Sequence, residues 1–322
     1  MVMNFLIVKR TTPLYNIGKT LKKAVQTMIE LLIKPTDDLE TLLSGYPLDS
    51  EIHIHFEAGT YQQKCRLMHH HLKLYGSREG ITKFVNADYS YKMHRDGLLY
   101  NTFRTYTMML LGDDVELYDI EIENASGSGF TIGQGVALHV LSKTARFVRC
   151  KLIGHQDTLF VGPLPIDLCE RYDHFLPLEE RTPSQTHHHF QACTIVGDVD
   201  FIFGSGTAYF ESCHIIAKSK GYIAAPSTDV SFPYGLIFDR STITSLSTEH
   251  DVYLARPWRD HGSAIFLNCN FQGKFHPNRF EPWGKSFMRF FEYPYVHSSV
   301  GLPLIKEEEE RLKQYLSLHF NR

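Results

Sequence analysis

The apolar positions of the chain change period along its length. Over residues 16–34, Leu21, Ala24, Val25, Met28 and Leu32 recur at helical spacing, with Lys19, Lys22 and Lys23 off that face. That pattern predicts an amphipathic helix. The apolar segment 1–10 ahead of it reads as a strand, and a polar connector follows over 35–49. From Glu51 the period falls to two. Ile52, Ile54 and Phe56 alternate with His53 and His55, and Gly59 ends the strand. Short strands then recur with no long helix between them until 306–319. There Leu312, Tyr315, Leu316 and His319, with Ile305 just ahead, predict a second helix whose acidic run, 307–310, is a solvated face.

The strands contain a repeat. Phe147-x-x-Cys150-x-Leu152 returns as Phe190-x-x-Cys193-x-Ile195, Phe210-x-x-Cys213-x-Ile215, Phe238-x-x-Ser241-x-Ile243 and Phe266-x-x-Cys269-x-Phe271, with Leu117-x-x-Ile120-x-Ile122 as a weaker earlier copy. A unit of 20–28 residues with short strands and no helix is the pattern of a β-solenoid. Such a coil cannot bury its own apolar face, so coils stack and equivalent residues align. Four cysteines then form one inward ladder with Ser241, a packing role that suits small soft side chains better than metal ligation. The expected fold class is all-β, a single solenoid domain over 1–322, its ends capped by the two helices. The proline-rich, acidic stretch 163–183 interrupts the repeat and is expected to leave the solenoid as an inserted loop.

Composition narrows the function. The chain has 322 residues, 43% hydrophobic and 21% charged, with formal net charge −3. Nothing in that balance favours nucleic acid or an anionic membrane, and a monomer is expected. No basic region precedes the apolar start and no cleavage site follows it. Six cysteines show no CxxC pairs. Together these predict a cytoplasmic protein.

The candidate chemistry starts from Asp200, a carboxylate set among Val199, Phe201, Ile202 and Phe203. Burial there is costly unless the group is paired or working. Asp157 lies 43 residues earlier, which is one coil once the insertion is removed. Neighbouring coils stack at about 5 Å, and two carboxylates that close cannot both ionise cheaply. One can then act as acid and the other as nucleophile or base. Arg256 offers a charge to hold one ionised, Gln134 and Gln156 offer neutral amides for a transient oxyanion, and Trp258 a flat face for a sugar. The spacing also suits a retaining glycosidase, so it leaves ester and glycoside chemistry both open.

At these residues the chain resembles the pectinesterases. It shows Gly59-Thr60-Tyr61-Gln62-Gln63, Gln134-Gly135-Val136-Ala137-Leu138, Gln156-Asp157-Thr158-Leu159, Asp200-Phe201-Ile202-Phe203-Gly204 and Leu254-Ala255-Arg256-Pro257-Trp258 in the family's order. Two segments are unchanged, and the likeness spans 5–301. It implies a right-handed parallel β-helix, and no cofactor or metal. It implies Asp200 as nucleophile, Asp157 as general acid and later base, Gln156 and Gln134 as oxyanion donors, and Arg256 as the residue that orients Asp200. Phe203 and Trp258, with Thr102, are taken as sugar contacts. The implied reaction is removal of the methyl group from C6 esters of galacturonate, in pectin or its oligomers. Gln63, Gly135 and Ala255 depart from the family's Glu, Ala and Gly.

Other readings stand beside this one. A β-helix polysaccharide hydrolase or lyase, or a carbohydrate-binding solenoid without activity, would share the fold. The triplets His69-His70-His71 and His187-His188-His189 suggest metal, but neighbours on a strand face opposite ways. Tyr61, Phe103 and Tyr106 read as core or rim, and Asp198 as a third acidic group pointing with Asp200.

Overall fold

The computed structural model describes residues 28–181, 184–294 and 300–320. Every strand-to-strand pairing between its named strands is parallel. One face of the solenoid is an 11-stranded sheet that runs from Ile29–Ile33 to Leu302–Pro303. A second face carries Gly59–Tyr61, Thr82–Asn86, Ile120–Asn124 and Lys151–Ile153. A third carries Cys65–Leu67, Met108–Leu110, Leu138–Val140 and Leu159–Val161. Two long strands, Thr194–Gly204 and His214–Pro226, bend across the corner and belong to both of the latter faces. Helices α1 (Leu39–Leu43), α2 (Gly129–Ile132), α3 (Ile166–Arg171) and α4 (Lys306–Phe320) lie outside this framework.

The repeat read from the sequence is the register of the coils. Leu117, Phe147, Phe190, Phe210, Phe238 and Phe266 align on successive strands of the first face. Their phenyl rings stack at centroid distances of 4.4, 4.8, 4.7 and 4.7 Å. Ile122, Leu152, Ile195, Ile215, Ile243 and Phe271 align in the same way on the second face. The residue ahead of each ladder position, namely Asp119, Arg149, Ala192, Ser212, Arg240 or Asn268, has φ between 48° and 57°. That left-handed residue turns the chain from one face to the next.

The ladder of small residues has a second role beside packing. Cys193 Sγ donates to Phe147 O, Cys213 Sγ to Phe190 O, Ser241 Oγ to Phe210 O and Cys269 Sγ to Phe238 O. Each donates back to the ladder phenylalanine of the coil before. A thiol and a hydroxyl are equivalent here because both are small donors. Replacing Phe210, fully buried in mid-stack, with alanine is expected to cost about 3–5 kcal/mol. Denaturant unfolding measures it, and a loss below 1 kcal/mol would mean that the column is not the core.

Three expectations change, and a fourth lies outside the described residues. The helix expected over 16–34 falls mainly outside the described residues, as does the strand expected over 1–10. The described end of that helix, Ile29–Ile33, is a strand paired with Ile52–Phe56. Leu31 and Ile33 point inward, while Leu32, placed on the helix's apolar face, is 50% exposed. A short apolar run satisfies both periods, and the open sheet edge decides for the strand. The connector 35–49 contains α1, capped by Asp38 Oδ1 accepting from Thr41 N at 2.7 Å. Its Leu39 and Leu43 join the core, and it packs beside Cys65–Leu67, the edge of the third face. Helix α4 forms as expected but does not close an end. It lies along the outside of the first face, with Leu312 and Phe320 buried against Tyr209, Ile237, Ile265 and Leu267. Ile237 and Ile265 are outward strand positions, so their apolar character needed a cover.

A segment outside the two sheets follows Leu159–Val161. It carries α3 and a 3-10 turn at Leu178–Glu180, and the chain rejoins the first face at His187–Gln191. It roofs an outward row on the third face. Met109, His139, Phe160 and Phe203 align across four strands and are all buried. Leu164, Leu168 and Leu176 of the inserted segment pack on this row. Burial holds the His139 imidazole neutral, with its pKa pushed down to about 3.

Candidate active site

The corner between the second and third faces brings the two carboxyls together. Leu159 pairs with Ile202, and Asp157 N donates to Val199 O at 3.1 Å. Asp157 and Asp200 therefore stand side by side on adjacent coils. Both have positive φ, 65° and 49°, and the strand that carries Asp200 shifts register between Val199 and Ile202. The irregular register re-aims Asp200 out of the strand alternation, while Asp157 sits in the turn that precedes Leu159–Val161. Left-handed backbone is tolerated by Asp better than by most residues.

The environments of the two carboxyls differ. Arg256 forks onto Asp200, Nε to Oδ1 at 2.8 Å and Nη2 to Oδ2 at 2.6 Å. Burial pushes the Asp200 carboxyl above its ordinary value, the two bonds and the charge of Arg256 pull it back, and Glu281 adds a smaller upward push. Asp157 has no such fork. Burial, and then the charge of Asp200, raise it well above the carboxylate range. Asp157 thus lacks the direct hydrogen-bonded counter-ion that pulls Asp200 back.

Arg256 is itself held from both sides. Its guanidinium lies 3.9 Å from the Tyr222 ring centroid and 3.8 Å from that of Trp283. Burial works against its charge, but Asp200 more than restores it and raises its pKa. The chain reading missed Tyr222 and Trp283, which lie 34 and 27 residues from Arg256 on other coils. Only the stacking of coils makes them neighbours. Trp283, one of two tryptophans, was the one available signal.

The carboxyls open into a groove of about 620 Å³ lined by Thr102, Gln134, Gln156, Phe203, Arg256 and Trp258 among others. Asp157 and Asp200 line the same groove, so the eight residues the resemblance proposed for the site are grouped there. Gln134 is fixed through its backbone, which exchanges bonds with Ser90. The Trp258 ring meets Phe203 edge-on at 5.7 Å. The groove also takes Asp167, Leu168, Arg171 and Tyr172 from the inserted segment, and Arg259 and Lys285 from later coils. Sequence reading did not single out Leu168, Arg171, Tyr172, Arg259 or Lys285 for the site.

Three of the acidic residues of the insertion are paired with arginines. Glu179 and Glu180 bind Arg66 at 2.8 and 2.9 Å, and Asp167 binds Arg259 at 2.8 Å. Asp198 does not join the carboxyl pair either. It accepts from Val199 N and meets His155 Nδ1 at 2.8 Å, and Lys218 Nζ is 3.2 Å from the other ring nitrogen. His188 is buried on Ser142 O, while His187 and His189 face outward toward Phe320. Among the described residues no group of three or more metal-ligating side chains is placed to hold an ion.

The three departures have local explanations. Gln63 accepts from Leu39 N and donates to Asp37 O, both at 3.0 Å. A glutamate could not make the second bond once ionised. A Cβ on Gly135 would stand 2.7 Å from Ser126 Oγ and 2.9 Å from Asn124 Oδ1, so glycine fits this neighbourhood. Ala255 is buried in Val252–Ala255 and is not among the residues with positive φ, so it carries no backbone strain.

Comparison with known proteins gives a consistent picture. The family model described as Pectinesterase matches residues 46–163 and 183–294, and its gap coincides with the inserted segment. "Probable pectinesterase A" of Aspergillus flavus is 30% identical over 238 residues, 71% of this chain and 64% of that protein. "Probable pectinesterase/pectinesterase inhibitor 35" of Arabidopsis thaliana is 27% identical over 241 residues, 73% of this chain and 39% of that protein. The chain thus spans about two fifths of the length of that plant relative. Among solved structures, pectin methylesterase PemA from Erwinia chrysanthemi superposes with a TM-score of 0.67 at 21% identity, over 90% of this chain and 96% of its own. The carrot pectin methylesterase gives 0.66 at 22%, over 84% and 85%. These likenesses show the parallel β-helix. The plant and fungal relatives act on pectin of the cell wall, outside the cell, which overturns the cytoplasmic expectation. The six free cysteines do not argue against this, since four of them serve the packed ladder.

Proposed function

The chain belongs to the pectinesterase family, and from that premise we propose that it is a secreted carboxylic ester hydrolase that removes methyl groups from C6-esterified galacturonate. The observation that carries this is the asymmetry of the carboxyl pair: one is forked by arginine, and the other is buried without such a fork. An ionised Asp200 attacks the ester carbonyl carbon, and the carbonyl electrons move onto oxygen. Gln134 and Gln156 line the groove as neutral amides that can donate to that oxyanion. The tetrahedral centre collapses, the C–OCH₃ bond breaks, and the Asp157 proton goes to the departing oxygen as methanol. This leaves an anhydride between Asp200 and the sugar. Asp157, now a carboxylate, takes a proton from water as the hydroxyl attacks. Asp200 leaves as a carboxylate, Asp157 is protonated again, and the released uronic acid gives its proton to solvent to become the free uronate.

The test is methanol release from methylated pectin with no fall in polymer length. Shortening of the polymer without methanol would favour the hydrolase or lyase reading of the same groove.

The inserted segment is proposed to wall one end of the groove, so that short methylated oligomers are turned over better than long pectin. Excising it would bare Met109, His139 and Phe160, so a milder variant is the cleaner test. Arg171→Ala with Tyr172→Ala trims the wall at residues that line the groove. The ratio of polymer to oligomer rate is expected to rise about threefold or more, the order of one lost contact. An unchanged ratio in a stable protein would remove the wall from the account.

A further inference from the structure

We propose that Arg259 is a carboxylate-recognition residue of the sugar groove, and that Asp167 of the inserted segment occupies it as a built-in competitor until a free uronate carboxyl displaces it. The inference rests on the esterase reading of the groove and adds a ligand to it. The ligand is the unesterified carboxylate of a neighbouring galacturonate.

The geometry of the pair is that of guanidinium and carboxylate. Arg259 Nη2 donates to Asp167 Oδ2 at 2.8 Å and Nε to Oδ1 at 3.4 Å. A uronate carboxyl can reproduce the same fork. Both side chains line the groove that holds Asp157 and Asp200, and both also line a second hollow of about 490 Å³. The pair therefore forms a bar between two stretches of surface, where a chain longer than the first groove would have to pass.

The exchange is cheap. The Arg259 and Asp167 side chains are 32% and 48% exposed, so a ligand can reach them, and a pair this exposed contributes little stability. Asp167 would not be left alone, since Arg171 Nη2 lies 3.7 Å away on the next turn of α3. Arg259 would keep its place. Its Nη1 donates to Trp258 O at 3.1 Å, and its guanidinium lies 4.8 Å from the Trp258 ring centroid. Trp258 is in turn set against Phe203. The other arginine beside the carboxyl pair, Arg256, is saturated by Asp200.

The opposite side of the insertion shows what a permanent anchor looks like. Arg66 binds Glu179 and Glu180, and the Glu180 side chain is only 5% exposed. Of these two ionic attachments of the inserted segment, one is fixed and the other is open to replacement by a ligand. The family model has no counterpart to the segment that supplies Asp167.

The experiment is calorimetric binding of fully de-esterified trigalacturonate to the parent protein, Asp167→Asn, Arg259→Gln and the double variant. Methanol release from methylated pectin by the parent is recorded in parallel. Asp167→Asn is expected to tighten trigalacturonate binding about threefold to fivefold, the size of an exposed ion pair. Arg259→Gln is expected to weaken it roughly tenfold. The double variant should match Arg259→Gln alone, because the competitor matters only through the arginine. Unchanged binding in folded Asp167→Asn, or in folded Arg259→Gln, overturns the proposal. Asp167→Ser serves if the Asn variant does not fold. A parent that binds trigalacturonate in this pattern but releases no methanol would refute the esterase reading and leave the carboxylate site standing. A parent that releases methanol with no dependence of binding on Asp167 would do the reverse.

Discussion

Asp200→Ala is expected to fold and to lose methanol release by about a thousandfold or more, the loss typical of a removed nucleophile. Among the described residues that line the groove, no other carboxyl stands on the Arg256 fork. Asp157 stands beside it, but burial keeps its proton on, so it cannot attack. Two terms should lower stability. Alanine must adopt the left-handed φ of 49° at this position, at about 1 kcal/mol. Arg256 also loses its counter-ion. Its stack between Tyr222 and Trp283 and its residual exposure of 15% limit that cost to about 2–3 kcal/mol. The ladders that hold the coils are untouched, so cooperative unfolding should persist at a lower Tm. Asp200→Asn suits the backbone better, since Asn tolerates the left-handed region, but slow deamidation could restore activity. Methanol assays with a melting curve on the same sample decide the matter. Parent-like release from folded Asp200→Ala protein would remove Asp200 from the mechanism.

Arg256→Leu is expected to move the whole pH–rate profile upward and to depress its maximum. Attack requires Asp200 ionised. Burial raises its pKa, and Arg256 lowers it through two hydrogen bonds and its charge. With Arg256 gone the downward influences vanish, Asp200 ionises only at higher pH, and the acidic limb follows. The charge of Arg256 also lowers Asp157, more weakly. Its loss therefore lets Asp157 hold its proton to higher pH, and the alkaline limb shifts the same way. With leucine in place, burial without the arginine partner favours the protonated form of Asp200. kcat/KM against pH gives the free-enzyme ionisations directly. An acidic limb that stays in place in an active variant would falsify Arg256 as the group that sets the ionisation of Asp200.

The chain itself contained the coil repeat, because a solenoid writes its packing into the sequence. The phenylalanine that stacks must recur once per coil, and so must the small donor that bonds back to it. Phe147 to Phe266 and Cys150 to Cys269 were legible for that reason. Asp157 and Asp200 were legible as neighbours for the same reason. The coil converts a separation of 43 residues, less an insertion, into one strand spacing.

What lay beyond the sequence was whatever crosses between coils without a repeat or covers their outside. Residues 29–33 satisfied two periods, and only the unpaired edge of Ile52–Phe56 made them a strand. The place of α4 depended on Ile237 and Ile265, outward positions that look apolar but do not name their cover. The Tyr222–Arg256–Trp283 stack and the Asp167–Arg259 bar join residues from separate coils and from an insertion outside the repeat. Local periodicity constrains inward faces, since each must be buried whatever the rest of the chain does. Long-range polar pairs are free of that constraint, so their partners are set by three-dimensional proximity alone.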